Sequence, residues 1–192
     1  METAALIAPP VERPRRWLPL LGVLTVLAVV VFGGYVVAAA LSVQTGPPVD
    51  VAGVVRMSPL SGWEVAGRRA NPPGARLTRG SGNLDVFVFR PAGGDPTDLL
   101  RAYVTQLLEP HARQLSVSPQ TQAVSLRSSL RGVRASYVGQ FFGKGAAPIE
   151  GELTAVISPS GAGVVFDGWA HEGLLDFVLG DIDAMVNSAE VR

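Results

Sequence analysis

The sequence contains no cysteine in its 192 residues and has only two histidines. The absence of cysteine excludes disulfide bonds, thiol catalysis and attachment of a lipid through an N-terminal cysteine. The formal net charge is zero, so electrostatics gives no reason to expect a nucleic-acid partner. Lysine is also nearly absent, with one residue against fifteen arginines. Together with abundant alanine, glycine and valine, this bias is typical of a GC-rich bacterial genome, such as an actinobacterial one.

The longest uniform feature is an uncharged, mostly hydrocarbon run at residues 17–41. A helix rises about 1.5 Å per residue, so a helix of this length crosses a bilayer core of about 30 Å with room for tilt. Three arginines lie within residues 13–16, and no basic residue follows the run before Arg56. Because basic residues stay on the cytoplasmic side, the sequence predicts a single-pass protein of the cell membrane. Its N-terminal tail (residues 1–16) is then cytoplasmic and the rest of the chain is extracytoplasmic.

A cleaved secretory signal peptide is the alternative interpretation of this run, since residues 38–40 are all alanine and resemble a cleavage site. The apolar core of a signal peptide is about 7–15 residues, much shorter than residues 17–41, so a retained signal-anchor is favoured. A linker containing two prolines follows at residues 42–50. Residues 51–192 then have the length of one domain.

Residues 51–192 alternate short strand patterns with two amphipathic helix patterns. One helix begins after Asp95, carries a stripe of leucine, tyrosine and valine, and ends before Pro110, while the other covers residues 173–191. Strands are predicted at residues 51–57, 63–68, 75–79, 84–90, 132–142, 149–157 and 163–170, with one or two more between 116 and 130. The last three are separated by tight turns and indicate an antiparallel meander. This order is typical of an α+β domain with a mostly antiparallel sheet flanked by two main amphipathic helices.

Several segments are similar to positions in the PsbP-like (Mog/PsbP) superfamily. They are SGWEV at 61–65, the helix PTDLLRAYVTQLL at 96–108, GVRA at 132–135, GELTAVIS at 151–158 and the terminal amphipathic helix. The region from 51 to 192 resembles this superfamily, including actinobacterial envelope proteins of the LpqN type. The resemblance implies an α/β/α sandwich that serves as a binding or accessory module rather than an enzyme. This chain differs from the lipoprotein members because it lacks the N-terminal cysteine and has a predicted span instead.

No motif for catalysis or metal binding is complete. His171 begins a sequence like the zinc-protease motif HExxH, but Leu175 occupies the position of the second histidine. There is no serine in a GxSxG motif and no P-loop. Glu150 and Glu152 share one face of a predicted strand. A carboxylate pair can carry out acid–base chemistry, but two glutamates are also expected on a sheet face that is exposed to solvent. We therefore expect no catalytic residue, no metal and no cofactor. A hydrolase that uses Asp167, Glu150 or Glu152 is the least favoured hypothesis.

Four arginines flank the predicted turn at residues 71–74. They are Arg68, Arg69, Arg76 and Arg79. A guanidinium group binds phosphate or carboxylate through two parallel hydrogen bonds, so this hairpin is a candidate site for an anionic ligand. An ordinary solvated charged hairpin is the alternative interpretation.

A second set of residues is aromatic and suits an apolar pocket between a helix and the sheet. The candidates are Phe87, Phe89, Tyr137 and Phe141. Two functional hypotheses follow. The first is a membrane-anchored, non-catalytic binding or accessory module whose partner is an envelope protein or lipid, and the second is a carrier of a lipid or another apolar ligand. The sequence defines neither the partner nor the oligomeric state.

Overall fold

The computed structural model describes residues 46–90, 92, 94–142 and 147–192. No helix within these ranges has the length and apolar character that crossing a bilayer requires. The predicted cytoplasmic tail, the predicted span at residues 17–41 and the first part of the predicted linker lie outside the described residues.

The described domain consists mainly of strands, with two α-helices. The strands are β1 (Val49–Val51), β2 (Val55–Met57), β3 (Glu64–Ala70), β4 (Pro73–Arg79), β5 (Gly82–Phe89), β6 (Ala112–Val117), β7 (Gln122–Ser125), β8 (Arg131–Phe141), β9 (Ile149–Ile157), β10 (Gly163–His171) and β11 (Glu190–Val191). The helices are α1 (Pro96–Tyr103), which continues as a π-helical segment (Val104–Leu108) and a 3-10 turn (Glu109–His111), and α2 (Asp176–Ser188). The first strand therefore begins inside the predicted linker.

The main sheet is antiparallel and has the strand order β3-β4-β5-β10-β9-β8-β6, with β7 also paired to β8. The predicted meander is confirmed, because β8, β9 and β10 are neighbours in chain order. A separate three-stranded sheet is formed by β1, β2 and β11. The prediction of an α+β domain with a mostly antiparallel sheet and two helices is thus confirmed.

The two α-helices cover opposite faces of the main sheet. On one face, α1 packs in a core that contains Phe87 of β5 and Val165 of β10. On the other face, α2 and the three-stranded sheet pack in a core that contains Val86 and Val164. Adjacent residues enter different cores because side chains alternate between the two sides of a strand. We call these sides the α1 face and the α2 face, and together they form an α/β/α sandwich.

The start of the domain differs from the predicted pattern. The single strand expected at residues 51–57 is divided by a turn into β1 and β2, which pair with each other. In this turn Ala52 and Gly53 have positive φ angles of 55° and 69°, and the Gly53 N–H donates to Asp50 Oδ1 at 2.8 Å. Glycine adopts a positive φ without steric cost, so the chain reverses here.

The predicted start of α1 is confirmed. Asp95 precedes the helix in an extended conformation, and its Oδ1 accepts hydrogen bonds from the N–H groups of Thr97 and Asp98 at 2.8 and 3.0 Å. These bonds satisfy two of the N–H groups that the first helical turn leaves without partners. At the other end the regular helix stops at Tyr103, earlier than predicted. The π and 3-10 segments fill the distance to Pro110, whose ring has no N–H and crowds a regular helix.

Replacing Asp95 with asparagine is expected to keep the cap and to remove its dependence on pH. Hydrogen bonds from the N–H groups of Asp98 and Thr97 hold the pKa of the Asp95 carboxyl below its usual 3.8. A carboxyl whose folded pKa is lowered stabilises the protein above its unfolded pKa, and this contribution is lost as the pH falls through the folded value. The melting temperatures of wild type and Asp95→Asn, measured from neutral pH to about pH 2, should therefore run parallel above about pH 5 and converge or cross below it. A constant difference across that range contradicts this account.

Candidate functional site: a cleft between helix α1 and the sheet

Three charged residues stand side by side across the centre of the sheet. Arg76 of β4 is directly opposite Asp85 of β5, and Asp85 is directly opposite Asp167 of β10. Residues paired in this way have their side chains on the same face, about 5 Å apart. Because Phe87 lies two residues from Asp85, and Val165 two residues from Asp167, the row belongs to the α1 face.

Asp85 holds Arg76 in a fixed orientation. The Asp85 side chain is buried, and it accepts two hydrogen bonds from Arg76, from Nε at 2.7 Å and from Nη2 at 2.8 Å. Trp169 Nε1 donates a third bond to Asp85 Oδ2 at 3.1 Å, and the Arg76 guanidinium lies 5.6 Å from the centre of the Trp169 ring. The hydrogen bond to Asp85 raises the pKa of Arg76, despite partial burial. Arg76 therefore stays charged and presents its remaining N–H groups away from Asp85.

Asp167 joins helix α1 to the sheet. It is 1% exposed, and it accepts hydrogen bonds from the hydroxyls of Tyr103 on α1 at 2.7 Å and of Tyr137 on β8 at 2.8 Å. Burial, followed by the charge of Asp167, raises the pKa of both tyrosines well above the usual value. The two hydroxyls are thus held as neutral donors to a buried carboxylate.

Alkaline titration is expected to leave Tyr103 and Tyr137 protonated until the domain unfolds. A tyrosine whose folded pKa is raised contributes its full stabilisation below the unfolded pKa of about 10, and that contribution is lost as the pH rises toward the folded value. Tyrosinate absorbance and circular dichroism recorded on the same samples of residues 46–192, which contain only these two tyrosines, should show both ionising together with unfolding. Ionisation of either tyrosine while the circular dichroism is still native contradicts this prediction.

A cavity of about 150 Å³ lies beside this row of charges. Its buried walls include Phe87, Tyr103, Leu108, Phe141 and the two aspartates, and its rim is formed by the exposed residues Arg69, His111 and Phe142. We call this cavity and its rim the α1 cleft. A second cavity of about 380 Å³ continues along β3 and is also bordered by Arg69, Arg76 and Asp85, and by Arg68, whose guanidinium binds the Asp50 oxygen. Arg69 and Arg76 therefore border both cavities.

The structure separates the four candidate arginines into two pairs. Arg69 and Arg76 border the α1 cleft. Arg68 donates from Nη1 to the backbone oxygen of Asp50 at 2.8 Å, and Arg79 forms an ion pair with Asp181 of α2, so both point to the α2 face. Adjacent positions on a strand face opposite sides, which is why Arg68 and Arg69 separate. The predicted group of four is therefore a pair at the cleft and two arginines engaged elsewhere.

Two of the four aromatic candidates border the α1 cleft. Phe87 and Phe141 line it. Tyr137 is buried, packs edge-on against Phe141 with ring centres 6.1 Å apart, and is bonded to Asp167. Phe89 packs edge-on against Tyr103 and borders a different cavity of about 340 Å³. The aromatic set therefore forms both the wall of a cavity and part of a packed core.

The carboxylates proposed for hydrolysis are not brought together. Asp167 lies on the α1 face, whereas Glu152 pairs with Arg134 at 3.1 Å in contact with α2. Glu150 accepts a hydrogen bond from the Leu175 N–H at 2.9 Å. No group of three metal-binding side chains occurs among the residues that the structure describes. His171 is four residues from Asp167 on the same strand, about 13 Å away, so these two do not form a cluster.

This sandwich has the PsbP/Mog1-like fold, as comparison with solved structures shows. The sequence itself matches no protein-family model, and the comparison with curated proteins finds no match. The fold predicted from the resemblance is confirmed, including the match to a protein of the LpqN type.

Three of the similar structures cover nearly the whole of their own chains. PsbP (CyanoP) from Synechocystis sp. PCC 6803 is 16% identical, with a TM-score of 0.55 over 79% of this chain and 93% of that chain. The Ran-binding protein Mog1p of Saccharomyces cerevisiae is 10% identical, with a TM-score of 0.54 over 78% and 96%. LpqN, which is involved in cell envelope biogenesis of Mycobacterium tuberculosis, is 10% identical, with a TM-score of 0.52 over 80% and 93%. At these identities the similarity shows the fold alone.

Proposed function

We propose that the chain is a non-catalytic binding module of the bacterial cell envelope, anchored in the membrane by residues 17–41, with the α1 cleft as its binding site. The observation that carries this proposal is Arg69, a charged side chain at the rim of a partly apolar cavity. Its guanidinium lies 5.6 Å from the centre of the Phe87 ring. Among the described residues no carboxylate lies within ion-pair distance of it, so its charge is available to a ligand.

The arrangement of the buried acids supports binding rather than catalysis. A general acid or base must reach the proton it transfers, at about 2.6–3.2 Å. Both oxygens of Asp167 are engaged by tyrosine hydroxyls, and both oxygens of Asp85 are engaged by Arg76. These carboxylates orient other side chains and are already occupied as acceptors.

The location rests on the charge pattern around residues 17–41, which favours a cytoplasmic tail and an extracytoplasmic domain. LpqN, a protein of the same fold, is involved in cell envelope biogenesis, which supports the same setting for this chain. A reporter that is active only outside the cytoplasm, fused after Arg192, is expected to be active. Activity of a cytoplasmic reporter at the same position would overturn the topology.

Transport of an apolar ligand is the second candidate, favoured by the apolar walls of the cleft. Pockets for drug-sized ligands measure about 300–1,000 Å³. The cavity of about 150 Å³ is smaller and has room for a compact apolar group. The cavity of about 380 Å³ that continues it along β3 is bordered mainly by charged residues, which do not suit a lipid chain. Carriage of a whole lipid is therefore less well supported than binding of a partner that inserts one small group.

Photo-crosslinking in intact cells tests the proposed site. A photoreactive amino acid at Phe142, on the rim, is expected to give a defined product with an envelope component, and the same amino acid at Phe177 is the control. Phe177 is 83% exposed and lies on α2, away from the cleft. The product at Phe142 should disappear in Arg69→Ala and persist in Arg68→Ala. Identical products at both positions, or a product that is insensitive to Arg69→Ala, would overturn the assignment of the site.

A further inference from the structure

We propose that the α1 cleft recognises an anionic oxygen group, a phosphate or a carboxylate, attached to one aromatic ring. This inference rests on the proposed function and gives the chemical class of its ligand. Arg69 and Arg76 hold the anionic group at the rim, and the ring enters the cavity beneath them.

The cationic half of the site consists of two guanidinium groups, one bound to an acid and the other lying over an aromatic ring. Arg76 uses Nε and Nη2 for Asp85, and no described residue accepts a hydrogen bond from its Nη1. Its side chain is 40% exposed, so this unused edge is accessible from solvent. Arg69 stacks on Phe87 and keeps its N–H groups free of any acid within the described residues. Guanidinium groups bind phosphate and carboxylate oxygens through charge-assisted, paired hydrogen bonds, which fits an anion placed between these two side chains.

The two acids in the cleft do not prevent an anion from binding at the rim. Asp85 is neutralised by its paired bonds to Arg76 and receives a further bond from Trp169. Asp167 lies beneath Tyr103 and Tyr137, whose hydroxyls cover its oxygens. Both carboxylates are almost fully buried, whereas the arginines reach solvent. The charge that an incoming ligand meets first is therefore positive, and the acids repel any part of an anion that enters more deeply.

The cavity below the arginines selects the group that the anion carries. Its volume of about 150 Å³ equals that of an apolar cavity that holds one benzene molecule. Phe87, Tyr103 and Phe141 supply aromatic walls, and Leu108 supplies an aliphatic one. Aromatic rings pack favourably edge to face or offset against each other. One ring matches this volume, and a ring that enters from the rim would leave its anionic substituent at Arg69 and Arg76.

Isothermal titration calorimetry on the full chain in detergent micelles tests this inference with phenyl phosphate and benzoate as probes. Inorganic phosphate supplies the anion without the ring, and phenol supplies the ring without the anion. We expect at least one of the two aryl anions to bind about tenfold or more tightly than both inorganic phosphate and phenol. Arg69→Ala should weaken the aryl anion by about tenfold or more, which is the usual order for loss of a charge-assisted contact. Arg68→Ala removes the same charge from the neighbouring position on the opposite face and should leave binding unchanged.

Three results would overturn the inference. These are no binding of either aryl anion, failure of both aryl anions to bind more tightly than inorganic phosphate and phenol, and equal weakening by Arg69→Ala and Arg68→Ala. Failure here is distinguishable from failure of the proposed function, because the crosslink at Phe142 and its sensitivity to Arg69→Ala are measured without any assumption about a ring-bearing ligand.

Discussion

Replacing Asp167 with leucine is expected to lower the free energy of unfolding by about 2–6 kcal/mol. Leucine has a similar size but accepts no hydrogen bond, so the hydroxyls of Tyr103 and Tyr137 lose their acceptor inside the core. Each buried polar group left without a partner costs about 1–3 kcal/mol. Because Tyr103 belongs to α1, the substitution should also loosen this helix from the sheet. Denaturant unfolding followed by tryptophan fluorescence measures the loss.

A variant that removes the donors as well separates this effect from a general loss of packing. In the triple variant Asp167→Leu, Tyr103→Phe, Tyr137→Phe no buried hydroxyl is left unpaired, and replacing a polar network by apolar groups of the same shape is often nearly neutral. The triple variant should therefore be more stable than Asp167→Leu alone. If the triple variant is the less stable of the two, the unpaired hydroxyls are not the cause of the destabilisation.

Alanine at Gly151 is expected to cost about 2–4 kcal/mol, although it adds a single methyl group. A Cβ at this position would lie 2.5 Å from Cε1 and Cζ of Tyr137 and 2.6 Å from its hydroxyl oxygen. Gly151 is directly opposite Tyr137 on the neighbouring strand, and the ring lies across the glycine. Tyr137 is buried, so its ring moves only by giving up the bond to Asp167 or by displacing Phe141.

Gly67→Ala is the matched control for this substitution. Gly67 also lies in a strand of the main sheet, but a Cβ there has no neighbour within 4 Å. Its stability should stay within about 0.5 kcal/mol of wild type, the usual range for surface substitutions. Combining Gly151→Ala with Tyr137→Leu removes the clash, so the two costs should be clearly less than additive. Strict additivity in that cycle contradicts a direct contact between the two residues.

The central strands of the fold were predictable from local residue patterns in the sequence. The strand at residues 84–90 is apolar on both sides, which predicts a central position with cover on each face, and β5 has that position between β4 and β10. The strand β9 was predicted with its observed ends, and Leu153 and Ala155 lie on the face opposite Glu152, as alternation requires. Elements at the edges were less well predicted, because short strands such as β1 and β11 have too few residues to show a period.

The site was only partly predictable, because some of its contacts join residues that are close in the sequence and others join residues that are far apart in it. Arg76 and Asp85 face each other across a hairpin, so a charged residue within the apolar run of β5 was a usable local signal. Tyr103 and Asp167 are 64 positions apart and meet only because β10 pairs with β5 and α1 covers that pair. No periodicity within one element determines which distant strand lies beside it. For this reason the sequence indicated the arginines, the aromatic residues and Asp167 as candidates, but not the hydrogen bonds by which Asp85 and Asp167 arrange the other side chains.

The small sheet determines where the chain enters and leaves the described domain. Both β1 and β11 pair with β2, so these two strands are about 10 Å apart, which is two strand spacings. They run parallel to each other, and the Gly46 N–H donates to the Pro59 oxygen whereas the Arg192 N–H donates to the Val54 oxygen, so the two ends lie towards opposite ends of β2. This sheet packs with α2, on the side of the main sheet that faces away from the α1 cleft. A surface tether or fluorescent label attached at Arg192 would therefore leave the α1 cleft open to solvent.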